Sequence, residues 1–540
     1  MNKRISTALI LTACTYLASC ASTSPVVHEN ASAKPAATST QSCEALAGKQ
    51  FGTNTIEKAE PVASGDPLLG FMTRVLFKIA LPGYPTPKAP VDFCRTTAKL
   101  RPVVGSEITA DVWLPRNWNG KFLANGGAGL NGGLFAAPFW MAKPMAQGYA
   151  IVVTDAGHKV TNSAKFTHEH PEQFIDYAYR ANHVAAVFAK DLLATYYGTP
   201  VKRAYFHGCS NGGRDALMEA RRFPDDYDGI IAGAPATAWS KLMTSFAWNA
   251  QALSEAPKLG KKLKLVQDAV LKKCDALDGV QDQLLENPRN CSFDPSELLC
   301  KAEDGADCLT ASEVSALHKI YGGPQLRDGP PIYSGMPVGG EGLPGNWDSW
   351  ITNGKKAQQS ALAAESFRWM VYGDDADWKL SSFDIDRDYP KAKERMGPIM
   401  DSDDPDLSAF TGRGGKLMLY HGWNDGAIPA GATLDYYAAL QKKLGPVADE
   451  QVRAFMVPGM MHCTGGVGPN SFDVLGEMDK WVEGGKAPDK MTATQFDPPY
   501  WLIERPDAKA VRTRPLCAWP KVARYSGSGS SDDAANFDCK

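Results

Sequence analysis

Six short apolar runs, each closed by glycine, proline, asparagine or aspartate, set the rhythm of this chain. They are KFLANGG (Lys121 to Gly127), YAIVVTDAG (Tyr149 to Gly157), RAYFHGCS (Arg203 to Ser210), GIIAGAP (Gly229 to Pro235), KLMLYHGWND (Lys416 to Asp425) and VRAFMVPG (Val452 to Gly459). Shortness, branched and aromatic content, and these breakers predict β-strands. Between some of them run helical patterns, such as Glu172 to Tyr197. That alternation implies a mostly parallel sheet covered on both faces, an α/β core. The strand rhythm stops from Trp239 to Gly415, a span with many Gly and Pro, several Trp and four cysteines. It reads as an inserted lid, residues 239–415, dividing a core of residues 43–238 and 416–540. There is no convincing internal repeat.

The 540 residues exceed a single small domain, in keeping with a core plus a large insertion. Net charge is −3 with no basic run, so nothing asks for nucleic acid or an anionic membrane surface. The first 19 residues read as a signal peptide: Lys3 and Arg4 precede an apolar stretch, Ile5 to Leu17, too short to span a bilayer. Leu17-Ala18-Ser19-Cys20 resembles the lipobox of bacterial lipoproteins, which makes Cys20 the lipidated residue. The expected location is then the outer membrane, periplasm or cell surface. The alternative is an ordinary cleaved signal and a secreted protein. Residues 20–42, rich in Ser, Thr, Ala and Pro, read as a disordered tether.

Of twelve cysteines, Cys14 lies in the signal and Cys20 at the lipobox; the remaining even number in an exported chain implies a disulfide framework. Spacing suggests Cys274–Cys291 and Cys300–Cys308, while Cys517 and Cys539 bracket a flexible C-terminal segment. Cys43, Cys94, Cys209 and Cys463 are left.

Gly208-Cys209-Ser210-Asn211-Gly212 fits the G-x-S-x-G nucleophile elbow, with a predicted strand before it and a helical run after. Such a serine needs a histidine base and an orienting acid, in the order Ser, Asp or Glu, His. After Ser210 stand His318, His421 and His462. His318 reads as a surface residue of a lid helix, and His421 precedes the best acid. His462 follows a strand and turn near the C-terminus, where a base would stand. Asp425, at the end of the preceding strand, is the acid; Asp384, Asp386 and the aspartates of 401–406 read as solvated lid or linker groups. Cys209 directly precedes Ser210 and Cys463 directly follows His462. Bringing serine and histidine within hydrogen-bond reach brings the two cysteines together. A bridge there would close a loop of roughly 250 residues, worth on the order of 5 kcal/mol in the chain-entropy model. The alternative is a buried free thiol at position 209. The oxyanion donors expected are the backbone N–H of Asn211 and one from the loop NGGAGLNGG (Asn125 to Gly133), with Gly127 preferred and Ala128 second.

With GCSNGGR, HGWNDGAIP, PGMMHC and DAANFDC, the chain resembles the tannase and feruloyl esterase family, whose relatives include bacterial mono(2-hydroxyethyl) terephthalate hydrolases. The resemblance implies an α/β-hydrolase core with a large inserted lid domain. It implies Ser210, Asp425 and His462 as the triad, the Cys209–Cys463 bridge beside it, and Cys43 paired with Cys94. In CDALDGVQDQLLENPRNC, three aspartates make hard oxygen ligands that suit Ca²⁺ better than Zn²⁺, at spacings unlike an EF-hand. The resemblance implies a structural Ca²⁺ on the side chains of Asp275, Asp278 and Asp282 and the carbonyls of Val280 and Leu284.

The expected activity is hydrolysis of aromatic carboxylic esters, of feruloyl, galloyl or terephthalate-monoester type, through an acyl-enzyme and without an organic cofactor. The alternatives are a terephthalate-monoester hydrolase specifically, a peptidase or thioesterase, and a non-catalytic surface binding lipoprotein. Lid aromatics from Trp239 to Trp378 could line a flat pocket, and Arg368 or Arg387 could clamp a free carboxylate. The sequence does not give the acid, the alcohol or the oligomeric state.

Overall fold

The computed structural model describes residues 39–540 except 81–83, 135–136, 161, 374–376 and 499–506. The signal peptide, Cys20 and most of the tether lie outside the described residues. A ten-stranded sheet forms the core, in the order β1-β2-β3-β4-β6-β5-β7-β8-β9-β10. Its strands are β1 (Gln50–Phe51), β2 (Asn54–Val62), β3 (Phe93–Leu100), β4 (Ile108–Pro115), β5 (Lys121–Asn125), β6 (Ala150–Thr154), β7 (Arg203–Cys209), β8 (Gly229–Gly233), β9 (Lys416–Gly422) and β10 (Val452–Val457). The six runs read from the sequence are β5 to β10, and they pair in parallel. β1 to β4, which the sequence reading passed over, extend the sheet antiparallel from the β6 edge.

The parallel strands carry apolar residues on both faces, so each strand feeds two cores. Phe122 and Ala124 of β5 pack with Phe206 and Leu419 on one side, against the Ala181–Tyr197 and Asn211–Arg222 helices. Leu123, Tyr205 and Met418 point to the other, against the Ala137–Ala146 and Val474–Gly484 helices. The predicted helix from Glu172 to Tyr197 is continuous but carries one π turn at Asp176–Arg180. Between β8 and β9 the described residues add no strand to this sheet; they form helices that pack one apolar cluster around Trp239, Phe246 and Phe367 together with Phe166, Tyr177 and Ile428 of the core, and a second, internal one around Leu317 and Trp347. After β10 the described residues add the Val474–Gly484 helix and four further strands. β11 (Lys490–Asp497) pairs with β12 (Lys509–Cys517), and β13 (Ala523–Tyr525) with β14 (Phe537–Cys539), as two small separate sheets.

Among the described residues five disulfides are formed: Cys43–Cys94, Cys209–Cys463, Cys274–Cys291, Cys300–Cys308 and Cys517–Cys539. That number indicates folding in an oxidising compartment outside the cytoplasm. No helix among the described residues is long and apolar enough to cross a membrane.

Candidate active site

β7 ends at Cys209, and the Asn211–Arg222 helix starts one residue after Ser210. Ser210 itself sits at φ 65°, a left-handed backbone that a non-glycine residue adopts only under constraint. The flanking glycines make room for this turn. A Cβ on Gly208 would lie 2.2 Å from the Gly212 carbonyl oxygen, and one on Gly126 would lie 2.7 Å from the Gly212 Cα. The glycine loop after β5 therefore packs directly on the first turn of the serine helix.

Ser210 Oγ lies 2.8 Å from His462 Nε2, and His462 Nδ1 lies 2.7 Å from Asp425 Oδ2. Three separate strand ends, after β7, β9 and β10, thus meet in one hydrogen-bonded chain. Asp425 is fully buried, and its Oδ1 accepts the N–H groups of Ala427 at 2.7 Å and Ile428 at 2.9 Å. Burial on its own would raise this carboxyl; the imidazoles of His462 and His421 outweigh it and hold Asp425 well below the usual carboxylate range. His421 is the other neighbour of Asp425, with Nε2 at 3.1 Å from Oδ2 and Nδ1 at 2.7 Å from Thr433 Oγ1. It is buried and braces the acid without reaching the serine. His318 is exposed on the Ala311–Gly322 helix, near Ser296 and Asp294. Asp401, read from the sequence as solvated, instead accepts the backbone N–H of Ser240 at 2.9 Å and its hydroxyl at 2.7 Å. It anchors the Trp239–Ser254 helix that follows β8.

Gly127, the expected oxyanion donor, is not free to serve as one. Its N–H donates to Asp215 Oδ2 at 3.1 Å and is committed there. The N–H of Ala128, the second choice, has no protein acceptor among the described residues. Asp215 belongs to a buried network that the sequence reading missed. Arg214 donates to Asp215 Oδ1 at 2.6 Å, to Asn211 Oδ1 at 2.8 Å and to the Ala178 carbonyl at 2.6 Å. Tyr177 donates its hydroxyl to the Gly129 carbonyl at 2.8 Å. Both flanks of the expected oxyanion position, the glycine loop and Asn211, are therefore fixed by one ionic pair and one tyrosine. The signal was present as Arg214-Asp215 inside GCSNGGRD, but charged neighbours on a helix read as solvent-facing.

A cavity of about 550 Å³ opens at Ser210 and His462. Trp239, Phe246 and Trp350 of the lid aromatics line it, with Trp140, Leu242 and Leu362. Trp350 meets the His462 ring edge-on at 5.1 Å between centroids. His207 lies in the wall, and burial pushes its imidazole down to about 4, so it is neutral. Trp347 is instead packed into the insertion's internal cluster, and Phe367 and Trp378 into the cluster shared with Phe166, Tyr177 and Ile428.

The loop stapled by Cys274–Cys291 gathers four carboxylates, Asp275, Asp278, Asp282 and Glu286, around one buried guanidinium. Arg514 pairs with Asp282 and with Glu286, the latter at 3.2 Å. Burial raises Asp278 to about 6 and Glu286 to about 8 against the pull of that arginine. Asp278 Oδ2 is buried without a hydrogen-bond partner. An excess of buried oxygen anions with one lone acceptor fits a hard divalent cation. With Asp282 turned to Arg514, the loop carboxylates stand further apart than His183, Glu219 and Asp226, whose ligand atoms all lie within 4.8 Å of one another.

A serine on a strained strand-to-helix turn, a histidine and a buried aspartate from later strands of one α/β sheet define a serine hydrolase of the α/β-hydrolase type. The chain matches the family model "Tannase and feruloyl esterase" over residues 94–540, and it belongs to that family of carboxylic ester hydrolases. Among its relatives is an uncharacterized esterase of Xanthomonas campestris pv. campestris, 35% identical over 83% of this chain and 84% of its own length. Another is the mono(2-hydroxyethyl) terephthalate hydrolase of Piscinibacter sakaiensis, 35% identical over 80% of this chain and 81% of its own. The crystal structure of feruloyl esterase B from Aspergillus oryzae superposes with a TM-score of 0.81 at 27% identity, covering 91% of this chain and 98% of that one.

Proposed function

We propose that this chain is an exported serine esterase that hydrolyses esters of aromatic carboxylic acids through an acyl-enzyme. The observation that carries the reading is the Ser210–His462–Asp425 chain opening into a cavity walled by Trp239, Phe246 and Trp350. Relatives named "Probable feruloyl esterase" and "Mono(2-hydroxyethyl) terephthalate hydrolase" support the same class of acid.

His462 Nε2 takes the Ser210 hydroxyl proton as Oγ attacks the ester carbonyl, and the ionised Asp425 holds the imidazole and balances its charge. The oxyanion is received by the N–H groups of Asn211 and Ala128. His462 returns the proton to the departing alcohol. Water then enters, loses a proton to the same nitrogen, and releases the aromatic acid. Asp275, Asp278 and Asp282, with the carbonyls of Val280 and Leu284, would hold a structural Ca²⁺ that neutralises the loop's charge and takes no part in these steps. Cys20 would carry a lipid anchor, with the residues up to 42 as a tether.

The deciding experiment assays the mature protein, with Ca²⁺ supplied, on methyl ferulate, methyl gallate and mono(2-hydroxyethyl) terephthalate. Turnover of at least one ester, lost in Ser210→Ala, is expected. A folded protein that turns over none of them would sink the reading and favour a binding role on the same scaffold.

A further inference from the structure

The charge of the cavity wall is one-sided. Among the described residues that line it there is no lysine or arginine, and Glu365 is its one carboxylate. The two arginines that could have clamped an anionic acid are engaged elsewhere. Arg368 lies over the Trp369 ring at 4.7 Å, and Arg387 is bonded to Asp388 at 2.7 Å. Neither lines the cavity.

Glu365 stands near the end of the Gln358–Ser366 helix and is held by one oxygen. Its Oε2 accepts the Ser163 hydroxyl at 2.6 Å and the Ala164 N–H at 3.0 Å. Among the described residues its Oε1 takes no hydrogen bond and no cation pairs with the group. A half-buried carboxylate is thus fixed in orientation, with one oxygen free, in a wall that is otherwise aromatic and aliphatic.

Resting on the esterase reading above, we propose that Glu365 is the specificity-determining side chain of this site. Its free oxygen accepts a hydrogen bond from a hydroxyl on the acyl group's aromatic ring, and its charge turns away acyl groups bearing a second carboxylate. The substrates are then esters of phenolic acids. Terephthalate monoesters are poor substrates, because among the described residues this wall holds no cation to meet their second carboxylate. Selectivity of this kind combines a fitted polar contact with a repulsive one.

The test compares kcat/KM, normalised by titrating the reactive serine with a fluorophosphonate, on four esters. Methyl 4-hydroxycinnamate against methyl cinnamate reads the hydroxyl contact; dimethyl against monomethyl terephthalate reads the charge. Wild type should favour the first of each pair by about tenfold, the scale of a hydrogen bond to a charged group. Glu365→Gln, which keeps an acceptor but no charge, should bring the terephthalate ratio to within about threefold of unity and keep part of the hydroxyl preference. Glu365→Ala should erase both. A labelled, active wild type that takes monomethyl terephthalate as readily as the dimethyl ester would overturn the assignment of Glu365. So would ratios that do not move in either variant. Failure of both labelling and turnover on all four esters would instead overturn the esterase reading, and this inference with it.

Discussion

Cys209 and Cys463 are bonded to each other, and each is the immediate chain neighbour of one partner in the Ser210–His462 hydrogen bond. The covalent link and the catalytic contact are therefore one unit, tying the end of β7 to the turn after β10 across a separation of 254 residues. Replacing both cysteines by alanine should lower stability by about 3–5 kcal/mol, the range for losing a long-loop disulfide. It should also lower kcat by about 10–100-fold with little change in KM, since a small displacement of the base costs that much. Unfolding curves and kinetics per titrated serine check the two effects. A stability loss with unchanged kcat would make the bridge a staple alone.

The chemistry of this site was legible because its signals are local: an elbow pentapeptide, a histidine after a strand, an aspartate at a strand end. The parallel strands were legible for the same reason. β2 and β3 were not, because Glu57, Lys58, Arg95 and Lys99 interrupt their apolar positions at the antiparallel edge of the sheet. The Gly127 choice failed because its acceptor, Asp215, lies 88 residues further on, and nothing local tells which way an N–H points. Arg214, Asp215 and Glu219 escaped notice because the Asn211–Arg222 helix is buried almost all round, against the rule that charged positions mark a solvated face.

The Asp215–Gly127 contact gives a second prediction. Asp215→Ala removes the acceptor that positions the glycine loop and leaves the buried Arg214 without its partner. Stability should fall by about 3–5 kcal/mol, and kcat by about 10–100-fold at nearly constant KM. Asp215→Asn restores an acceptor without charge and should recover most of kcat while remaining destabilised. Equal kcat losses in both variants would show that the charge, not the Gly127 hydrogen bond, sets the loop.

The acidic loop gives a third. Leu284 packs against Gly459, where an added Cβ would lie 2.6 Å from the leucine Cδ2, so the loop abuts the turn that leads to His462. Removing Ca²⁺ with a chelator should lower Tm by several degrees and reduce kcat, and added Ca²⁺ should restore both. At a free concentration of 100 to 1,000 times Kd, the ion would contribute about 3–4 kcal/mol. Metal analysis of the purified protein and thermal melts with and without chelator check this. An unchanged Tm in metal-free protein would rule out a stabilising ion in the loop.

The fourth concerns Glu219, on the serine helix but turned away from the cavity. It is fully buried, neither carboxylate oxygen has a hydrogen-bond partner, and Asp226 lies beside it. Burial first, then repulsion from Asp226 and Asp215, raises its pKa well above the ordinary 4.5 despite the nearby Lys190. The folded state therefore holds this proton more tightly than the unfolded chain does. Its contribution to stability is complete below about pH 4.5 and is lost as pH rises through the folded-state value. Glu219→Gln keeps the shape and removes the ionisation. The variant should match wild type near pH 4.5 and become progressively more stable than it as pH rises, by about 1.4 kcal/mol for each pH unit of that window. Denaturant unfolding of the two proteins from pH 4.5 to 9 measures the difference directly. A constant difference across that range would mean that Glu219 finds a partner when ionised, and the raised pKa would be wrong.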